Sequence, residues 1–123
     1  MKINKKNRYF KVGVKKNITL KDVGSIFLKN NENITFKTSN KKEYDVCKKN
    51  WGFYATPSIN KRLKNFGYLA ALVKSKNFNT FTILLLEKGK RKQFNKYIKD
   101  QKMHVVCWLN NKNLRAIEKK FKK

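Results

Sequence analysis

Apolar and polar positions alternate with a period of two through much of the first half of the chain. Ile26, Phe27 and Leu28 sit in Ser25–Lys29. In Asn33–Thr38, Ile34 and Phe36 alternate with Thr35 and Lys37, and in Glu43–Cys47, Tyr44 and Val46 alternate with Asp45 and Cys47. Asn30-Asn31-Glu32 and Ser39–Lys42 carry turn chemistry, because asparagine tolerates the left-handed backbone. Three short strands joined by tight turns predict an antiparallel meander. Trp51–Ala55 is aromatic and reads as strand or loop. The period then changes to helical: Ile59, Leu63 and Phe66 recur at i, i+4 and i+7. Thr56 is the expected N-cap, Pro57 suits the first helical position, and Gly67 falls where a C-terminal glycine stops a helix.

Tyr68–Val73 and Thr80–Glu87 are strands joined as a hairpin through Lys74–Asn79. The nearly continuous run Phe81, Ile83–Leu86 predicts a central strand covered on both faces. Gly89–Asp100 places Phe94, Tyr97 and Ile98 at helical spacing. Met103–Leu109 is a further strand, Asn110 or Asn111 a cap, and Leu114, Ile117 and Phe121 the stripe of a terminal helix expected to dock on the domain. The fold class is α+β: a small, mostly antiparallel sheet, made of the N-terminal meander and the central hairpin, with two or three short helices. Residues 68–109 have the order of half a ferredoxin-like sandwich. The expected core is Phe36, Tyr44, Val46, Leu63, Phe66, Leu72, Ile83, Leu85, Phe94, Ile98 and Val105. Residues 1–16, with seven basic and no acidic side chains, read as a basic N-terminal tail that becomes ordered near Tyr9, where Phe10, Val12 and Val14 alternate as in a short strand. Residues 17–123 form the single domain.

Charge changes this picture most. The chain of 123 residues has 32 Lys+Arg against 7 Asp+Glu, a net charge of +25. Such a chain repels itself and attracts polyanions. Lys and Asn share A-rich codons, so genome composition explains part of the lysine excess, though not the scarcity of acids. Lysine predominates over arginine, and lysine is a point charge without the fork that reads phosphate or guanine bidentately. Attraction to a nucleic acid backbone therefore fits better than sequence reading, and RNA or DNA is the expected partner. Cys47 and Cys107 are 60 positions apart and form no metal-ligand or redox pair, which suits a reducing cytoplasm. The basic start is not followed by an apolar signal segment, and no wholly apolar run, Ile83–Leu86 included, is long enough to span a membrane.

Catalytic equipment is sparse. His104 is the only histidine and lies in a strand, and Glu43 with Asp45 is the only close acidic pair. No nucleophile–base pair, metal cluster or phosphate-binding glycine motif is visible, so the chain reads as a non-enzyme without a cofactor. The best candidate site surrounds the expected helix start. There Lys49, Thr56, Ser58, Asn60, Lys61 and Arg62 offer hydrogen-bond donors and positive charge to an anion, and Trp51 and Tyr54 offer stacking surfaces. Ordinary capping by Thr56, with the aromatics in the core, is the competing explanation.

The same stretch, Trp51-Gly52-Phe53-Tyr54-Ala55-Thr56-Pro57-Ser58-Ile59-Asn60-Lys61-Arg62-Leu63, resembles the central motif of small uncharacterised bacterial proteins associated with surface-polysaccharide biosynthesis gene clusters. Leu86-Glu87-Lys88-Gly89-Lys90, Phe94, Tyr97 and Val106-Cys107-Trp108-Leu109 are similar to their C-terminal half. The resemblance covers about residues 24–109. It implies an alternative role, as an accessory protein or enzyme that binds an anionic sugar-linked ligand near Trp51–Arg62, and it brings no catalytic residue. If neither anion binds, a protein partner is the remaining expectation.

Overall fold

The computed structural model describes residues 1–122. Its strands are β1 (Lys2–Val12), β2 (Ile18–Phe27), β3 (Asn33–Lys37), β4 (Glu43–Lys49), β5 (Gly52–Ala55), β6 (Tyr68–Ser75), β7 (Phe81–Glu87) and β8 (Met103–Trp108). The helices are α1 (Arg62–Asn65), α2 (Arg91–Asp100) and α3 (Asn111–Phe121). All pairing is antiparallel, in three small sheets: β1-β2, β3-β4-β5 and β7-β6-β8. The α+β class expected from the pattern is the one observed.

The core lies between the β7-β6-β8 sheet and α2. On β6, Ala71 and Val73 point to one face, where their partners are Leu84, Trp108 and Val105. Phe94 and Ile98, four apart on α2, close over that face, and Phe94 packs on Trp108 with ring centroids 5.7 Å apart. The connection β7-α2-β8 joins two parallel strands that flank β6, a split β-α-β unit in keeping with the ferredoxin-like half. Leu63 of α1 is the most deeply buried leucine, at 1% exposure.

Four expectations are corrected. First, β7 is an edge strand and β6 is central. Leu84 faces α2, while Phe81 and Ile83 point to the other face and are exposed. The alanines at 70 and 71 let neighbours approach β6 closely, and both are buried. Second, the meander is β3-β4-β5, because Trp51–Ala55 supplies its third strand; β2, which includes part of Ser25–Lys29, pairs with β1 instead. Third, the segment read as a tail contains all of β1, and the boundary at residue 16 falls in the β1–β2 turn. Gln101, buried at the end of α2, holds that turn: its Oε1 accepts the Val14 N–H at 2.9 Å. Fourth, α3 has no buried residue, so its stripe of Leu114, Ile117 and Phe121 does not dock as expected. Of the expected core, Leu63 and Ile98 are buried, Phe36 and Ile83 are exposed, and the rest are half-buried.

Candidate nucleic-acid interface

Local chemistry explains why the helix after Pro57 is only four residues long. Thr56 does not cap it. The Thr56 N–H donates to the Asp45 carbonyl at 3.1 Å, and its hydroxyl donates to the same oxygen at 3.4 Å. Thr56 thus extends the β4–β5 pairing. The N-cap position, Lys61, has no side-chain cap; Ser58, further upstream, accepts the Arg62 N–H on its Oγ at 3.0 Å and the Leu63 N–H on its carbonyl at 3.0 Å. Gly67, at φ +94°, ends the turn in the left-handed conformation that glycine favours.

The expected anion-binding residues are therefore only partly gathered. Arg62 points its guanidinium at the Asp45 carboxylate, 3.7 Å away, and lies over the Phe66 ring at 5.3 Å. Asn60 donates to the Asn111 side chain at 2.7 Å, away from Thr56. Lys49 donates to Asn31 Oδ1 at 3.0 Å across the neighbouring strands. Lys61 is exposed beside α1 and its side chain makes no ion pair among the described residues. Thr56, Ser58 and Arg62 spend their polar groups on the fold itself.

The aromatics behave differently. Antiparallel partners share a face of a sheet. In β3-β4-β5 the pairs Phe36–Tyr44, Ile34–Val46, Val46–Ala55 and Lys48–Phe53 place all these residues on one face. Phe36 is 52% exposed and Phe53 65%. The Lys48 ammonium stands 5.9 Å from the Phe53 ring centroid and bonds to the Asn30 side chain and the Lys49 carbonyl. Trp51, 68% exposed, sits at the tip of the β4–β5 turn. Tyr54 pairs with Cys47 and belongs to the opposite face, so it does not join this surface. Sequence reasoning does not pick out Phe53, and it places Phe36 in the core. Alternation along β4 puts apolar side chains on both faces, so pattern alone does not say which face is left open.

The open face of β7-β6-β8 is more aliphatic. Phe81 has the Lys74 ammonium 5.3 Å from its ring centroid, but Ile83 and Val106 make up the rest of the exposed apolar surface there. Aliphatic groups give bases no stacking partner.

Among the described residues, six of the seven acids, all but Glu118, have a polar partner. Asp22 faces Lys6 and Arg8, Glu43 faces Lys37, and Asp100 pairs with Lys96 at 2.9 Å. Glu32 accepts the Lys29 N–H at 2.7 Å and pairs with the N-terminal amine; these contacts hold its carboxyl below the usual carboxylate range. The hydrogen bond from Lys96 does the same for Asp100. Among the described residues no group of three His, Cys, Asp or Glu side chains is placed to hold a metal ion, and no helix is long and apolar enough to cross a membrane.

Searches of family models, of curated proteins and of solved structures find no match to this chain.

Proposed function

We propose that this protein binds polyanions, and that its principal partner is single-stranded nucleic acid, RNA or DNA, held without strong sequence preference on the β3-β4-β5 face. The observation that carries the reading is the exposure of Phe36 and Phe53 on a sheet face that also bears Lys48, in a chain of net charge +25. Unstacked bases lie on aromatic rings, and lysines neutralise the backbone beside them. Trp51 at the turn extends the same stacking edge. The role is binding rather than catalysis. A cytoplasmic setting suits a nucleic acid partner and the free thiols of Cys47 and Cys107. The alternative suggested by the resemblance, an anionic sugar-linked ligand held by Thr56, Ser58 and Arg62, has less support, because those groups already bond within the fold.

Fluorescence anisotropy with a labelled 12-nucleotide single strand and a duplex of equal length tests the proposal. Counterion release makes log K fall by about 0.7 per neutralised phosphate for each log unit of salt on a single strand. The expected result is a steep salt slope with tighter binding to the single strand. No binding at low salt, or equal affinity for the duplex, overturns it.

A further inference from the structure

A cavity of about 250 Å³ lies between the turn preceding α1 and the junction of β8 with α3. It is separate from the β3-β4-β5 face: none of Phe36, Lys48 or Phe53 lines it. We propose that it is a binding site for a small organic phosphate of mononucleotide size.

The argument begins with charge. Lys64 and Arg91 both line the cavity, no acidic side chain does, and neither cation has a carboxylate partner among the described residues. Arg91 occupies the first position of α2, a helix with no acidic residue in its first turn. A positive charge there opposes the helix dipole, so it does nothing for the stability of α2. The guanidinium instead stands over the Trp108 ring, its carbon 4.2 Å from the centroid. The cation–π contact holds the guanidinium in place, and its N–H donors make no side-chain hydrogen bond or ion pair among the described residues. A guanidinium so placed beside a lysine matches a phosphate, one group as a fork and the other as a point charge.

The remaining lining describes the body of the ligand. Ile59, Leu69 and Leu109 give apolar walls. Asn60 and Asn111 are bonded to each other at 2.7 Å, which fixes both amides. The Asn60 carbonyl oxygen and the Asn111 amide nitrogen remain to meet hydroxyl or ring polar groups. Apolar walls with a few fixed polar groups are the usual make-up of a small-molecule site. A volume near 250 Å³ is below that of most drug-sized pockets and limits the ligand to about one nucleotide.

Isothermal titration of the full chain with adenosine 5′-monophosphate tests the assignment, with adenosine and inorganic phosphate as separate probes. The monophosphate is expected to bind saturably, and each half to bind at least about ten-fold more weakly, the scale of one lost charge-assisted hydrogen bond. Arg91→Gln and Lys64→Gln, both at exposed positions, should each weaken the monophosphate about ten-fold on the same scale, with circular dichroism unchanged. Arg91→Lys should restore less than half of that loss, because it keeps the charge and loses the fork. Phe53→Ala should leave monophosphate binding intact, which separates this site from strand binding on the sheet. Absence of saturable binding, or binding unchanged by both Arg91→Gln and Lys64→Gln, overturns the proposal. Equal affinity for inorganic phosphate overturns the assignment of an organic ligand.

Discussion

Replacing Phe53 by alanine separates stacking from charge on the proposed interface. The ring is 65% exposed, so its removal opens little cavity and costs the fold no more than an ordinary surface substitution, about 0.5 kcal/mol. Stacking of one base on an aromatic ring is worth about 1–3 kcal/mol, which is roughly 5- to 150-fold in Kd. No phosphate contact is lost, so the salt slope should stay where it is while the whole line shifts to weaker binding. Phe36→Ala, on the same face and 52% exposed, should act alike. Lys48→Ala should behave the other way, lowering the slope by about 0.7 on a single strand. Because the Lys48 ammonium stands 5.9 Å from the Phe53 ring, the double variant should show coupling rather than simple addition. The assay is anisotropy with a 12-nucleotide probe between 50 and 300 mM salt, with circular dichroism to confirm folding. An affinity loss below about two-fold for both phenylalanine variants, set against the expected stacking energy, would refute stacking on this face.

Two further predictions concern how the parts are held. Gln101→Ala removes the acceptor for the Val14 N–H; leaving that part-buried group unpaired costs about 1–3 kcal/mol, felt locally. Hydrogen exchange at Val14 and proteolysis within residues 1–28 should accelerate ahead of the rest of the chain; unchanged exchange at Val14 contradicts the anchoring role. Gly13→Ala should do the same, since φ there is +99° and a Cβ would sit 2.9 Å from Gln101 Oε1. At a net charge of +25 the folded state repels itself, and raising salt from 0.01 to 0.15 M shortens the screening length from about 30 to 8 Å. Thermal unfolding should move to higher temperature over that range, and a flat or falling Tm would mean that self-repulsion is not a leading cost.

β3, β4, β6, β7 and β8 were legible because strand composition and alternation across a pleat are local signals, whereas the lysine-rich β1 and most of β2 carry little of either. Gly67 was legible as a helix stop, and Asn110 as a cap, because each acts through its own backbone neighbours. What escaped depends on tertiary choice. The apolar run of β7 has the composition of a central strand, yet a sheet with α2 on one face only leaves Phe81 and Ile83 uncovered. Ala70 and Ala71 carry little hydrophobic signal, yet their small size makes β6 the strand that others pack against. Thr56 reads as a cap from the local pattern, but the Asp45 carbonyl, eleven residues away, claims it. The cavity beside Arg91 was invisible for the same reason: it joins residues 59–64, 91 and 108–111, which no local pattern connects.

The placement of the acids bears on whether the charge is functional. Compositional drift toward lysine would leave acids scattered over the surface in no particular relation to the fold. Instead Asp22, Glu32, Glu43, Asp45 and Asp100 each stand beside a cation, and Asn40 donates to Glu87. Two of them also hold backbone geometry, Glu32 and Asp22 accepting the N–H groups of Lys29 and Gly24, and the Asp45 carboxylate faces the Arg62 guanidinium. The acids that remain are mostly those with a structural partner. The rest of the surface is left almost wholly basic, with only Lys6, Arg8, Lys37, Arg62 and Lys96 among the described side chains within ion-pair reach of a carboxylate. A surface of that kind costs folding stability through self-repulsion and gains it back on binding a polyanion, because a ligand that binds only the folded state stabilises it by mass action. The charge and the exposed aromatic face thus favour the same partner, one that is anionic along its length and has flat rings to stack.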